Sequence, residues 1–150
     1  MPYTILKTFR GLLLDGGQDT IRLSTSQGKI GYRIKKLELF PHLPGTESVE
    51  STVMIWRNEQ TSVPTDTATV DFSNAQLLGA AMFHDSSSEG NLNPLYVVFD
   101  NVIINQDIFI THTETNSSGV GQSSNYYLEL EQVSLDDNEA MVATLKDMRG

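Results

Sequence analysis

Lys29-Ile30-Gly31-Tyr32-Arg33-Ile34-Lys35-Lys36-Leu37-Glu38-Leu39-Phe40 is the longest run of the chain in which apolar and polar residues alternate. Successive side chains of a strand point to opposite faces, so Ile30, Tyr32 and Ile34 share one face while Leu37 and Leu39 fall on the other parity. The slip lies at Lys35-Lys36. One extra residue there, a β-bulge, returns both apolar sets to a single core. Ser26-Gln27-Gly28 turns the chain into this run. Pro41-His42-Leu43-Pro44-Gly45 leaves it as a loop, because two prolines and a glycine in five residues do not suit a central ladder.

The same period recurs on both sides. Extended segments are predicted over Tyr3–Leu14, closed by Asp15-Gly16-Gly17-Gln18, and over Thr20–Ser24, Val70–Phe72, Gln76–Phe83, Leu95–Asp100, Val102–Ile104, Ile108–Thr113 and Tyr126–Val133. Val49–Asn58 is apolar on both faces, with Val49, Val53 and Ile55 opposite Met54 and Trp56. Such a strand is either central in a two-layer structure or gives one face to an interface. Glu59–Thr67, Asp85–Asn91 and Asn116–Ser124 read as polar loops, the last as a hairpin tip.

Only the tail has helical periodicity. A helix over 136–148 places Met141, Leu145 and Met148 on one stripe, to dock on its own domain or on a neighbour. Ser134 with Asp137 fits a loose capping box, and Asp136, Asp137 and Glu139 oppose Lys146 and Arg149 as the helix dipole prefers. The fold expected is all-β: one antiparallel β-sandwich over residues 1–150, the jelly roll being its specific variant, with one short C-terminal helix. Residues 1–14 would form an edge strand or an assembly arm.

Composition excludes more than it assigns. With no cysteine, there is no disulfide framework, thiolate metal site or cysteine nucleophile. No apolar run approaches the length of a membrane-spanning helix, and the N-terminus lacks a secretory signal pattern, so cytoplasmic synthesis is expected. The net charge of −9 argues against nucleic acid and anionic lipid. Seven of the ten basic residues (Lys7, Arg10, Arg22, Lys29, Arg33, Lys35, Lys36) lie within residues 1–40, alongside only three of the nineteen acids. Either the molecule presents a basic face to an acidic one for head-to-tail association, or neighbouring strands intermix these charges.

No catalytic motif is present. His42, His84 and His112 have no metal-ligand spacing, no serine sits in a Gly-x-Ser-x-Gly elbow, and Gly119-Val120-Gly121 lacks a phosphate-loop setting. His84-Asp85 and His112-Thr113-Glu114 read as local hydrogen-bonding pairs. Asp15–Asp19 and Asp136–Glu139 carry oxygen ligands but read as a turn and a helix cap, so neither metal nor cofactor is expected. Asn116-Ser117-Ser118 has the form of a glycosylation sequon and is read as loop chemistry. Trp56 and Tyr127 are the candidates for an aromatic sugar platform, with core packing the competing role of Trp56.

Gly31–Lys36, Ser51–Ser62, Phe99–Thr111, Asn125–Glu131 and Asn138–Arg149 resemble small virion proteins of marine tailed bacteriophages. The resemblance implies a non-enzymatic structural role in a virus particle, made in a host cytoplasm and located in the virion. It carries no site residues with it. A genome-contacting shell would be expected to bear a basic arm, and only Lys7 and Arg10 precede the first turn. A capsid-associated or decoration component is therefore preferred over a single jelly-roll shell protein, and a carbohydrate-binding β-sandwich module is the alternative from another class. The expected partners are further copies of the chain and other virion proteins, with no direct nucleic acid and no membrane. Candidate assembly contacts are Ile5, Leu6, Lys7, Arg10, Leu12, Lys35 and Lys36, with Leu13 and Leu14 adding apolar area.

Overall fold

The computed structural model of the chain describes residues 4–45, 48–65, 67–85, 94–115 and 122–148. Its elements are β1 (Leu6–Leu13), β2 (Gln18–Ile21), β3 (Ile30–Pro41), β4 (Val49–Trp56), β5 (Leu77–Asp85), β6 (Leu95–Val98), β7 (Ile108–Glu114), β8 (Ser124–Ser134) and α1 (Asp137–Met148). The strands form two antiparallel sheets, one ordered β1-β8-β3 and the other β2-β7-β4-β5-β6. The fold is an all-β sandwich closed by one C-terminal helix.

The pairing is nested. The first strand bonds the last, the second bonds the seventh and the fourth bonds the fifth, as in an eight-stranded jelly roll. The remaining couple departs from that scheme. β6 touches β3, with the Leu39 N–H 3.5 Å from the Tyr96 hydroxyl, yet its ladder is with β5 at the edge of the larger sheet.

The bulge of β3 lies where the pattern placed it. Ile34 pairs with Leu130 and Lys36 with Glu129, leaving Lys35 as the extra residue, and Tyr32, Ile34, Leu37 and Leu39 all face inward. There they meet Leu128 and Leu130 of β8, Val53 and Ile55 of β4, and Ile108 and Ile110 of β7. Each fully buried Leu or Ile contributes about 1.5–3 kcal/mol relative to exposure. β4 is the middle strand of the larger sheet, which accounts for apolar residues on both its faces. Its outward side packs Met54 with Leu77, Ala80, Trp56 and Phe99.

Several expectations are corrected. Val70–Phe72 is not a strand: Asp71 Oδ1 takes the Ser73 N–H at 3.0 Å and the Ser73 hydroxyl at 2.6 Å, a side-chain turn that displaces ladder pairing. Val102–Ile104 reduces to one bridge, Ile104 to Tyr32. Pro41 belongs to β3 as its last residue, at the strand's end where a missing N–H is tolerated. The capping box is formed by Asp136 and Glu139 rather than by Ser134 and Asp137. Glu139 N–H donates to Asp136 Oδ1 at 2.7 Å, and Asp136 N–H donates to Glu139 Oε1 at 3.2 Å.

The helix stripe is also different. α1 docks through Ala140 and Ala143 onto Leu135, Ile103 and Val133, while Met141 and Leu145 are 64% and 60% exposed. Small alanines let the helix approach closely enough for Asn105 to reach it. The buried Asn105 Nδ2 lies 2.7 Å from Thr144 Oγ1, 3.1 Å from the Ala140 carbonyl and 3.0 Å from the Gly28 carbonyl. The Met148 side chain, the Asn116–Ser118 sequon, the Gly119–Gly121 run and most of Asp85–Asn91 lie outside the described residues.

Candidate functional site

The outer face of the three-stranded sheet is set by register. Arg10, Tyr127 and Glu38 lie in one row across β1, β8 and β3, followed on one side by Leu12, Asn125 and Phe40, and on the other by Thr8, Glu129 and Lys36. These positions alternate with the buried Tyr126, Leu128 and Leu130, so they point away from the core. The first two rows line a shallow groove of about 610 Å³. Tyr127 Oη donates to Glu129 Oε2 at 3.1 Å, and this bond raises its pKa above the ordinary tyrosine range. Lys36 Nζ sits 3.4 Å from Glu38 Oε1. No ion pair of Arg10 occurs among the described residues.

Trp56 is not part of this face. It stands on the outward side of the other sheet, half-buried, with its indole N–H donated to Thr111 Oγ1 at 3.0 Å. The two aromatic candidates therefore point away from opposite sides of the sandwich. Tyr127 is joined instead by Arg10, Glu38, Phe40 and Asn125. Alternation along each strand predicts the outward orientation of all four. Their convergence depends on the cross-strand register, which no local pattern carries.

The assembly candidates lie on β1 and β3. β1 is an edge strand: among the described residues it is bonded to β8 on one side only. Ile5, Leu6, Leu12 and Leu14 remain exposed, while Leu13 is buried in the core and Phe9 packs against it. The Gln132 N–H donates to the Ile5 carbonyl at 2.8 Å. Antiparallel alternation then aims the N–H and C=O of Leu6, Thr8, Arg10 and Leu12 at the open edge. Lys7 extends its ammonium over the Tyr32 ring, 5.7 Å from the centroid. Arg33 and Lys35 both reach Glu131, at 3.9 Å each, and Lys29 reaches Asp137 at 3.0 Å. These pairs join the basic first quarter to acids of the remainder within one molecule.

A polar group closes one end of the core. His112 is fully buried, its Nδ1 lies 3.2 Å from the Leu14 carbonyl, and its Nε2 has no partner among the described residues. Burial lowers its pKa, an effect partly offset by the Leu14 carbonyl and by the charges of Asp15 and Glu114. Asp15 Oδ1 accepts from the Glu114 N–H at 2.9 Å, so this acid holds the β1–β2 turn to β7. Asp85 accepts from the Gly45 N–H at 2.8 Å, which makes its contact with a loop rather than with His84. Among the described residues no group of three metal-ligating side chains converges.

Sequence reasoning missed a further apolar patch on the larger sheet, where Val70, Phe72, Leu95, Tyr96 and Val97 are exposed around a groove of about 340 Å³. Phe72 lies edge-on to Phe99, with ring centroids 5.3 Å apart. The signal was present in Leu95-Tyr96-Val97-Val98, apolar at both parities on what proves to be an edge strand. No protein-family model matches this chain, and no curated protein does.

Proposed function

We propose that the protein is a non-enzymatic structural component of a virus particle, capsid-associated or decorating a bacteriophage head or tail. There it would associate with further copies of itself and with other virion proteins. The observation that carries this reading is the open edge of β1, which combines unpaired backbone groups with exposed Ile5, Leu6, Leu12 and Leu14. An exposed apolar edge is an aggregation hazard that proteins ordinarily blunt with charge, proline or a covering element. Assembly turns that hazard into an interface by adding a strand from a partner. Met141, Val142 and Leu145 on α1 offer a second uncovered apolar surface. A decoration role fits an acidic surface better than a genome-lining one.

Mass spectrometry of gradient-purified particles tests the proposal directly. The chain should be present at a fixed copy number that survives washing. Its absence from intact particles would overturn the reading.

A further inference from the structure

We infer that the outer face of the β1-β8-β3 sheet is a binding site for a neutral oligosaccharide, with Tyr127 as the stacking ring and Arg10, Glu38 and Asn125 as hydroxyl partners. The groove shares Arg10 and Leu12 with the β1 edge, but its stacking ring, Tyr127, stands on β8 away from that edge, so the two readings are tested by different residues. The inference rests first on the row structure. Tyr127 stands between a guanidinium on one neighbouring strand and a carboxylate on the other, with the Asn125 amide and the exposed Phe40 ring one row along. A hexose has an apolar C–H face and a rim of hydroxyls, so an aromatic ring flanked by donors and acceptors matches both parts. The groove volume of about 610 Å³ falls within the range of small-molecule sites.

Charge and rigidity narrow the choice. On this face Glu38 and Glu129 are matched by Arg10 and Lys36, so an acidic saccharide or a nucleic acid finds no net local attraction to offset the repulsion of a chain that carries −9. A flat apolar protein partner would cover Arg10, which has no ion pair among the described residues, without a counter-charge and would strip water from Glu38, which is costly. Neutral hydroxyls satisfy both groups without that penalty. The face is also held in place beforehand. β8 is bonded on both sides, Tyr127 is tethered through its hydroxyl to Glu129, and Lys36 holds Glu38. Little ordering is left for binding to impose.

The test is a glycan array of neutral and acidic oligosaccharides, followed by titration calorimetry of the best neutral binder against four folded proteins. These are the native chain, Tyr127→Ala, Tyr127→Phe and Phe72→Ala, each checked by circular dichroism. Tyr127→Ala should weaken binding at least tenfold. Tyr127→Phe, which keeps the ring, should stay within about threefold, and Phe72→Ala, in the turn that packs beside the opposite sheet, should match the native chain. Arg10→Ala tests the polar rim and should cost about five- to tenfold. Silence across the neutral glycans, preference for acidic ones, or binding that survives Tyr127→Ala would each overturn the inference. None of these outcomes bears on whether the chain is present in particles.

Discussion

Gly11 shows how one missing side chain joins the two layers. It lies opposite Tyr126, and a Cβ there would stand 2.8 Å from Tyr126 Cε2. The space lets the ring lie over β1 and carry its hydroxyl to Asp19 Oδ2 on β2, 3.0 Å away, in the other sheet. Burial, with the Asp19 charge in support, raises the Tyr126 pKa well above its ordinary value, so the phenol stays a donor. Tyr126→Phe should cost about 1–3 kcal/mol by removing a bond to a carboxylate, and Gly11→Ala about 1–3 kcal/mol by overpacking. Because both act through one ring, Gly11→Ala should cost less in a Tyr126→Ala background, and a double-mutant cycle on chemical melts measures the coupling. Additive costs would show that the contact does not matter. His112 supplies a second prediction at this scale. Its native pKa is lowered by burial, so the unfolded chain binds the proton more readily. Stability should be complete above the ordinary histidine pKa of 6.5 and fall as pH drops below it, by at most about 1.4 kcal/mol per pH unit. His112→Asn should be less stable at pH 7, and its melting temperature should vary less between pH 7 and 5.5. An equally steep decline in that variant would assign the acid sensitivity to other groups. Neither role was legible in the sequence, where Gly11 sits inside a strand pattern and His112 simply continues the inward parity of Ile108 and Ile110.

Among the elements, α1 separates what local pattern encodes from what it omits. Its place near the C-terminus and its acidic start were legible in the sequence, and the structure places it over Asp137–Met148. Its buried face did not follow. The larger apolar residues pointed to Met141 and Leu145, but the docking surface is built by alanines against Leu135, which precedes the helix, and by Asn105 from a distant loop. The close approach also uses Gly28, whose φ of +66° suits glycine and whose absent Cβ would stand 2.9 Å from Asn105 Nδ2. Asn105→Ala leaves the Gly28 and Ala140 carbonyls facing a void, and should destabilise helix docking by about 1–3 kcal/mol. Asp136→Ala removes the cap and should cost about 1 kcal/mol. Hydrogen exchange distinguishes the two effects. In Asn105→Ala the whole helix should lose protection while β4 and β7 keep theirs, whereas Asp136→Ala should expose chiefly the first turn. Uniform loss throughout the sandwich in either variant would mean that helix and sheets unfold as one unit.

For the whole molecule, the edge of β1 and the charge distribution make separable demands on assembly. The segregation of basic residues in the first quarter left open two opposed faces or charges intermixed between strands, and Arg33, Lys35 and Lys29 follow the second, spending their charge on Glu131 and Asp137 of the same chain. Exposed pairs of this kind are worth ~0–1 kcal/mol, and salt screens them. Apolar burial at about 25 cal/mol per Å² is the larger source of affinity. Removing residues 1–14 would be a poor test, because it also takes Leu13 and Phe9 from the core. Thr8→Pro is cleaner, since it deletes an N–H aimed at the open edge and leaves the bonds to β8 in place. Leu6→Lys sets a charge on the same edge. Sedimentation of the purified chain should show association weakened at least tenfold by either substitution. Raising the salt concentration, or Lys35→Glu with Lys36→Glu, should change it only a few-fold. If Thr8→Pro and Leu6→Lys both associate as the native chain does, the β1 edge is not the contact. If salt and charge reversal dissolve the assembly while the edge variants hold, electrostatic pairing between subunits replaces strand addition as the driving interaction.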